Sequence, residues 1–275
     1  MQRRSWFVAL AAVLLVPLAA CGRGASGSPV VESGRAARLV VGVLDDQPGL
    51  SLREDGGRLG GFDVDVATYV AFRLGTSPSQ ITWHPLRADE RERALESGTV
   101  DLVVATYSIT DARRARVTFA GPYFVTGQDV LVRTGESGIA TAADLTGRVV
   151  CSVAGTSSVE RMRTRSGADV RLVEQSGIAE CVRALRDHRV DAVTTDSIVL
   201  TGFAARSGGA LRVVGSPFSE ERYGIGIRRN DTEGRARVNA ALQRMVDDGA
   251  WSAALERHLP STWAGSRTPP EITER

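Results

Sequence analysis

From Leu39 onward, short apolar runs alternate with amphipathic stretches. LVVGVL (39–44), ITWHP (81–85) and DLVVAT (101–106) read as strands, and apolar residues at helical spacing predict helices over 62–74 and 88–97. This βαβαβ rhythm calls for a parallel sheet covered by helices. A second series follows: RVVCSV (148–153), a helix over 157–165, VRLVE (170–174), a helix over 176–188, DAVTTD (191–196), a helix over 197–206 and LRVVG (211–215). The repetition predicts two similar α/β lobes. YGIGIRR (223–229) reads as one more strand, and a helix over 232–257, the longest in the chain, stops before Pro260.

The flanks differ in character. Arg3 and Arg4 precede an apolar stretch from Trp6 to Ala20, the layout of a secretory signal, too short to remain as a spanning helix. Leu18-Ala19-Ala20-Cys21 resembles a lipobox, in which Cys21 becomes the acylated first residue of the mature chain. The alternatives are a soluble secreted protein in which Cys21 is incidental, or an N-terminal anchor that is never cleaved. Residues 21–37 are small, polar and Gly-rich and read as a flexible tether, and 261–275, with Pro269-Pro270, as a disordered tail.

Composition narrows the class. With 43% hydrophobic, 24% charged and 5% aromatic residues over 275 positions, the chain is an ordinary globular protein, not a disordered, collagenous or multi-span one. All 34 basic residues are Arg. Removing residues 1–20 takes away two of them and leaves 32 basic against 32 acidic residues, so no basic footprint for nucleic acid remains. With Cys21 lipidated, Cys151 and Cys181 form an even pair in an oxidising compartment, for which a disulfide is the economical reading and two free buried thiols the alternative. His84, His188 and His258 lie in no spacing that suggests a nucleophile or a metal site.

Candidate chemistry sits at strand-to-helix junctions, where unpaired N–H groups favour an anion. In Thr106-Tyr107-Ser108-Ile109-Thr110-Asp111-Ala112-Arg113, hydroxyls end a strand and an Arg follows about one turn later, placed to grip a carboxylate with two parallel hydrogen bonds. Gly155-Thr156-Ser157-Ser158 opens another helix; Ser157 with Glu160 also fits a capping box. Asp196 ends DAVTTD, where spacing alone favours a helix cap over an ammonium partner.

These residues carry a resemblance. GFDVDVA (61–67), DLVVATYSITDARRARVTFAGPYF (101–124), VVCSVAGTSSVE (149–160), ECVRALRDHRVDAVTTDS (180–197) and PFSEERYGIGIRR (217–229) resemble the polar amino-acid-binding proteins of ABC importers, solute-binding family 3, in the same order and at the same spacing. DQPGLSLRE (46–54), ATYSITDAR and the Cys151/Cys181 pair most resemble actinobacterial glutamate-binding lipoproteins.

The resemblance implies the type 2 periplasmic-binding-protein fold: two α/β lobes, 38–128 plus 224–260 and 129–223, joined by two crossing hinge strands with ligand in the cleft. It implies that Arg113 clamps the ligand α-carboxylate with Thr106 and Ser108. Thr156 and Ser157 would face that carboxylate from the other lobe, and Asp196 would take the α-ammonium in place of capping. Asp46 and Gln47, with Asp45 adjacent, match a ligand-touching loop. Arg91 matches a position near the distal carboxylate in acidic-amino-acid binders, against the reading of Asp89-Glu90-Arg91-Glu92-Arg93 as a solvated helix face. Two departures, Ala88 in place of an aromatic and Val153 in place of a Lys, count against glutamine. The implied protein is not an enzyme and needs no cofactor or metal. It is a monomer, lipid-anchored on the extracytoplasmic face, that captures glutamate or a related amino acid for a permease and its ATPase. The rival readings are a sensor using the same cleft and, further off, a small-molecule lyase.

Overall fold

The computed structural model describes residues 27–165, 170–260, 263 and 265–275. The expected signal and Cys21 lie outside them. In chain order the elements are α1 (Pro29–Arg35), β1 (Val40–Val43), β2 (Asp46–Gln47), β3 (Ser51–Arg53), β4 (Leu59–Gly60), α2 (Phe62–Leu74), β5 (Thr82–Pro85), α3 (Arg91–Ser97), β6 (Leu102–Val103), α4 (Asp111–Arg114), β7 (Thr118–Thr126) and β8 (Gln128–Arg133). Then follow β9 (Val149–Val153), α5 (Ser157–Arg165), β10 (Arg171–Gln175), α6 (Ile178–Arg186), β11 (Ala192–Asp196), α7 (Ser197–Ala205), β12 (Leu211–Val213), β13 (Glu221–Ile227), α8 (Thr232–Asp247) and α9 (Ala250–His258).

Two five-stranded sheets organise the two lobes, in the orders β5-β1-β6-β13-β7 and β10-β9-β11-β8-β12. In the first, β1 runs parallel to β5 and β6; in the second, β9 runs parallel to β10 and β11. Both finish with antiparallel partners, β13 and β7 in one, β8 and β12 in the other. The chain passes between sheets where β7 gives way at Gly127 to β8, and again before β13, where Phe218 N donates to Gln128 O. Ligands in open α/β sheets bind outside the carboxyl ends of such parallel strands.

Local signals explain the elements. Phe62, Val66, Val70 and Leu74 form the buried face of α2; Asp63 and Asp65 favour its N-terminal dipole, and Gly75 ends it in the left-handed conformation. Though aromatics are scarce, Phe62, Phe124, Trp251 and Trp263 gather in one core, with Phe62–Phe124 centroids 5.5 Å apart and Phe124–Trp263 5.2 Å.

Three expectations are corrected. Part of the expected tether is folded: Ser28 caps α1 and its Oγ donates to Asp231 at 2.8 Å, while Val30 and Val31 are buried. Pro at the start of the helix and two apolar residues were hidden among small polar neighbours. The predicted helix over 232–257 is two, because Gly249 at φ 77° interrupts it between α8 and α9. The described part of the expected disordered tail packs on the first lobe: Trp263 is buried, and Thr273 N and Glu274 N donate to Gly121 O.

Cys151 and Cys181 form a disulfide joining β9 to α6. With a sequence separation of 30, replacing both by serine is expected to lower unfolding free energy by about 3–4 kcal/mol in the chain-entropy model, measurable by denaturant titration.

Candidate functional site

A cavity of about 310 Å³ lies between the lobes, bounded by loops at the carboxyl ends of β1, β6, β9 and β11 and by the start of α6. All nine residues singled out from the sequence line it: Asp46, Gln47, Arg91, Thr106, Ser108, Arg113, Thr156, Ser157 and Asp196. A cavity at the small end of ligand sites, with charged side chains of both signs on a mixed wall, suits one small zwitterion.

Arg113 is the third residue of the single-turn helix α4. Thr110 Oγ1 caps α4 by accepting from Arg113 N at 3.3 Å, and the side chain turns inward. Its guanidinium donates from Nη1 to Ser108 O at 2.7 Å and from Nη2 to Gly155 O in the other lobe at 2.9 Å, and pairs through Nε with Glu92 at 3.2 Å. Glu92 also accepts from Tyr107 Oη at 2.7 Å, and the Tyr107 ring lies under both Arg113 and Arg91, with guanidinium carbons 5.0 and 4.6 Å from its centroid.

Arg91 is buried, so the solvated-face reading fails. It donates to the carbonyls of Ala88, Ala105, Thr106 and Gly155 at 2.9–3.4 Å. Burial and then the nearby Arg113 charge lower its pKa to about 10. Most of its donors therefore shape loops, bridging the lobes through Gly155.

Thr106 sits at φ 43°, a conformation uncommon for a non-glycine residue. Asp63, in the first turn of α2, receives its N–H at 2.8 Å and the Tyr123 hydroxyl at 2.9 Å. Burial pushes the Asp63 carboxyl up to about 6, against these two donors. Sequence reasoning used Asp63 only as part of the GFDVDVA block; its aspartate one position into a helix was the available signal.

The two side chains with rival capping readings both turn away from capping. Thr156, not Ser157, covers the start of α5, accepting from Val159 N at 3.3 Å. Ser157 Oγ instead bonds Ser108 Oγ at 3.3 Å across the cleft and Glu221 at 3.0 Å. Asp196 stands at the N-cap position of α7 but its carboxylate makes no capping bond; Oδ2 accepts from Tyr223 Oη at 2.5 Å, and Oδ1 is buried with no hydrogen-bond partner among the described residues. Burial and then the Glu221 charge push the Asp196 carboxyl up to about 7. Glu221 is itself buried, held by Ser157, Ser219 and Arg161. In the sequence Glu220 and Glu221 stand together just ahead of the predicted strand 223–229, with nothing to mark which of them turns inward.

Asp46 reaches across the cleft to the N-terminus of α6, accepting from Ala179 N at 3.3 Å, and burial raises its pKa. Gln47 is buried with Oε1 unpaired, and Ala88 and Val153 also line the cavity. Arg87, Glu180 and Arg183 complete the wall. Glu180 and Arg183 lie on α6, and nothing in the sequence says which face of that helix turns inward; Arg87 lies in the loop between β5 and α3.

The family model for bacterial extracellular solute-binding proteins, family 3, matches residues 39–261. The chain belongs to this family. Among family 3 relatives, the glutamate-binding protein GluB of Corynebacterium efficiens is 38% identical over 260 residues, covering 90% of this chain and 88% of that protein. The glutamine-binding protein GlnH of an ABC transporter in Bacillus subtilis is 31% identical, covering 92% and 94%. Of solved structures, an ancestral arginine-binding protein bound to arginine superposes with a TM-score of 0.76 at 32% identity, covering 81% of this chain and 98% of that one. The type 2 periplasmic-binding-protein fold, with its two lobes, is thus the fold of this chain as of its family 3 relatives.

Proposed function

We propose that this family 3 protein captures a free amino acid, glutamate by preference, outside the cell and delivers it to the permease and ATPase of an ABC importer. The observation that carries the reading is the pairing of opposite charges from opposite lobes on one cavity: the Arg113 guanidinium from α4 and the Asp196 carboxylate from β11, whose Oδ1 has no partner among the described residues. A ligand α-carboxylate on Arg113, with Thr106 and Ser108 beside it and Thr156 and Ser157 opposite, would leave the α-ammonium for Asp196. Asp46 and Gln47 flank it, and Arg91 holds the loops rather than reading the distal carboxylate. Each charge-assisted hydrogen bond is worth about 1.5–3 kcal/mol. Glutamate is preferred over glutamine because the GluB relative is a glutamate binder and the family's stacking aromatic is Ala88 here. Closure about the crossings at Gly127 and before β13 would bring both lobes onto the ligand. Lipidation at Cys21 and a monomeric state complete the proposal.

Glutamate is expected to raise the melting temperature of the purified mature protein, with stabilisation growing as RT ln(1 + [L]/Kd). No shift with glutamate, glutamine, aspartate or asparagine sinks the reading. Because Asp196 titrates far above an ordinary carboxylate, its ionised form costs the unliganded protein stability as pH rises from the unfolded value through the folded one. An ammonium favours that ionised form, so glutamate affinity is expected to fall as pH is lowered from about 8 to about 5, measured by calorimetry. Affinity that rises over this interval would exclude Asp196 as the ammonium partner.

A further inference from the structure

The segment after Trp263 extends past the family match, which ends at 261, and it is tied down at several points. Ile272 packs against the main core. Thr273 N and Glu274 N both donate to Gly121 O, at 2.9 and 3.0 Å. Asn239 of α8 braces the same spot, donating to Glu274 O at 2.6 Å and accepting from Gly121 N at 2.8 Å. Two side-chain contacts then reach outward. The Glu274 carboxylate takes two parallel hydrogen bonds from Arg114, at 2.7 and 3.1 Å, and Thr273 Oγ1 accepts from Arg222 at 2.8 Å.

Both contacts end beside the ligand clamp. Arg114 is the residue after Arg113, on a helix of four residues, and one turn has no stability of its own in water. Arg113 holds this turn from the cavity side and Arg114 from the outside. Arg222 lies on β13, the strand that carries Tyr223 and Glu221, and its carbonyl accepts the N–H of Ile109 at 2.8 Å, in the loop that leads into α4. The tail therefore links the clamp turn, the loop before it and the returning hinge strand.

We propose that residues 271–274 are a positioning strap for the Arg113 clamp, holding α4 against β13 so that the guanidinium is oriented before ligand arrives. Glu274 touches no ligand; it acts through Arg114 and the α4 backbone. Pre-orientation raises affinity by removing an ordering cost from the binding step. The ion pair adds only a modest amount to global stability, about 1 kcal/mol: the Arg114 side chain is 45% exposed, although that of Glu274 is 14% exposed and the contact is bidentate. The inference rests on the amino-acid-binding reading for its affinity readout but not for its structural one.

The test compares the full mature protein with Glu274→Ala by calorimetry with glutamate, by melting without ligand, and by amide hydrogen exchange. The variant is expected to bind glutamate about tenfold more weakly, in the range of coupling between contacting residues. Its ligand-free melting temperature should fall by no more than about 4 °C, and exchange should quicken at the amides of Arg114 to Val117 but not in the strands. Unchanged affinity together with unchanged exchange overturns the strap, as does a variant that melts lower and exchanges faster throughout. Should the parent protein bind no amino acid, the functional reading fails, and exchange alone then decides the strap: quickening confined to α4 supports it, and no quickening there overturns it.

Discussion

Replacing Arg113 with alanine is expected to weaken glutamate binding roughly 10²–10⁴-fold, the loss of two charge-assisted hydrogen bonds at about 1.5–3 kcal/mol each. Of the other cations near the clamp, Arg91 is engaged by four backbone carbonyls and Arg114 by Glu274, while Arg87 and Arg183 on the cavity wall pair with Asp89 and Glu180. The same change strips Glu92 of its ion-pair partner at 3.2 Å, leaving it the Tyr107 hydroxyl alone. Unpairing a buried carboxylate costs about 3 kcal/mol or more, so melting should also fall, and binding must be measured well below the transition. Arg113→Lys separates the two effects: it keeps the charge near Glu92 but cannot offer a bidentate fork, so stability should recover more than affinity. Calorimetry on both variants checks the expectation, and affinity retained in the alanine variant would place the ligand carboxylate elsewhere.

The second large effect is expected from one methyl group. Gly155 sits at φ 74°, and a Cβ there would lie 2.5 Å from Asp89 Cα and 2.7 Å from Asp89 Cβ, in the opposing lobe. Its carbonyl is also the acceptor that joins Arg91 and Arg113 across the cleft. Backbone atoms cannot swing aside as a long side chain does, so Gly155→Ala should be relieved by parting the lobes. Apparent affinity falls in proportion to the remaining closed fraction, and a fraction under about 1% means a loss of roughly 100-fold or more. Small-angle scattering should show a larger radius with glutamate present than the parent gives. A variant as compact and as tight-binding as the parent would show that the 86–89 loop yields instead.

What the sequence disclosed follows from how local each signal is. Helices over 62–74 and 157–165 carry their own punctuation, and their predicted limits are those of α2 and α5. The apolar run DLVVAT suggested six strand residues, yet β6 pairs only at Leu102 and Val103, because Asp63, distant in sequence, draws Thr106 out of line. The long strand β7 has no predicted counterpart: Gly121-Pro122 interrupts its apolar pattern, and its partners Asn239 and Thr273 are far along the chain. The cavity residues were legible through family resemblance; their division of labour was not. Whether Ser157 and Asp196 cap helices or face the cavity depends on Ser108, Glu221 and Tyr223, contributed by other elements.

The early start of the folded body shortens the leash. With α1 docked through Ser28 onto Asp231, only residues 22–27 separate it from Cys21. If Cys21 carries lipid as proposed, that stretch spans at most about 25 Å when fully extended. The attachment point of α1 would then stay within about that distance of the bilayer, and the protein's local concentration at a permease mouth would be set by this tie rather than by free diffusion through the surrounding space.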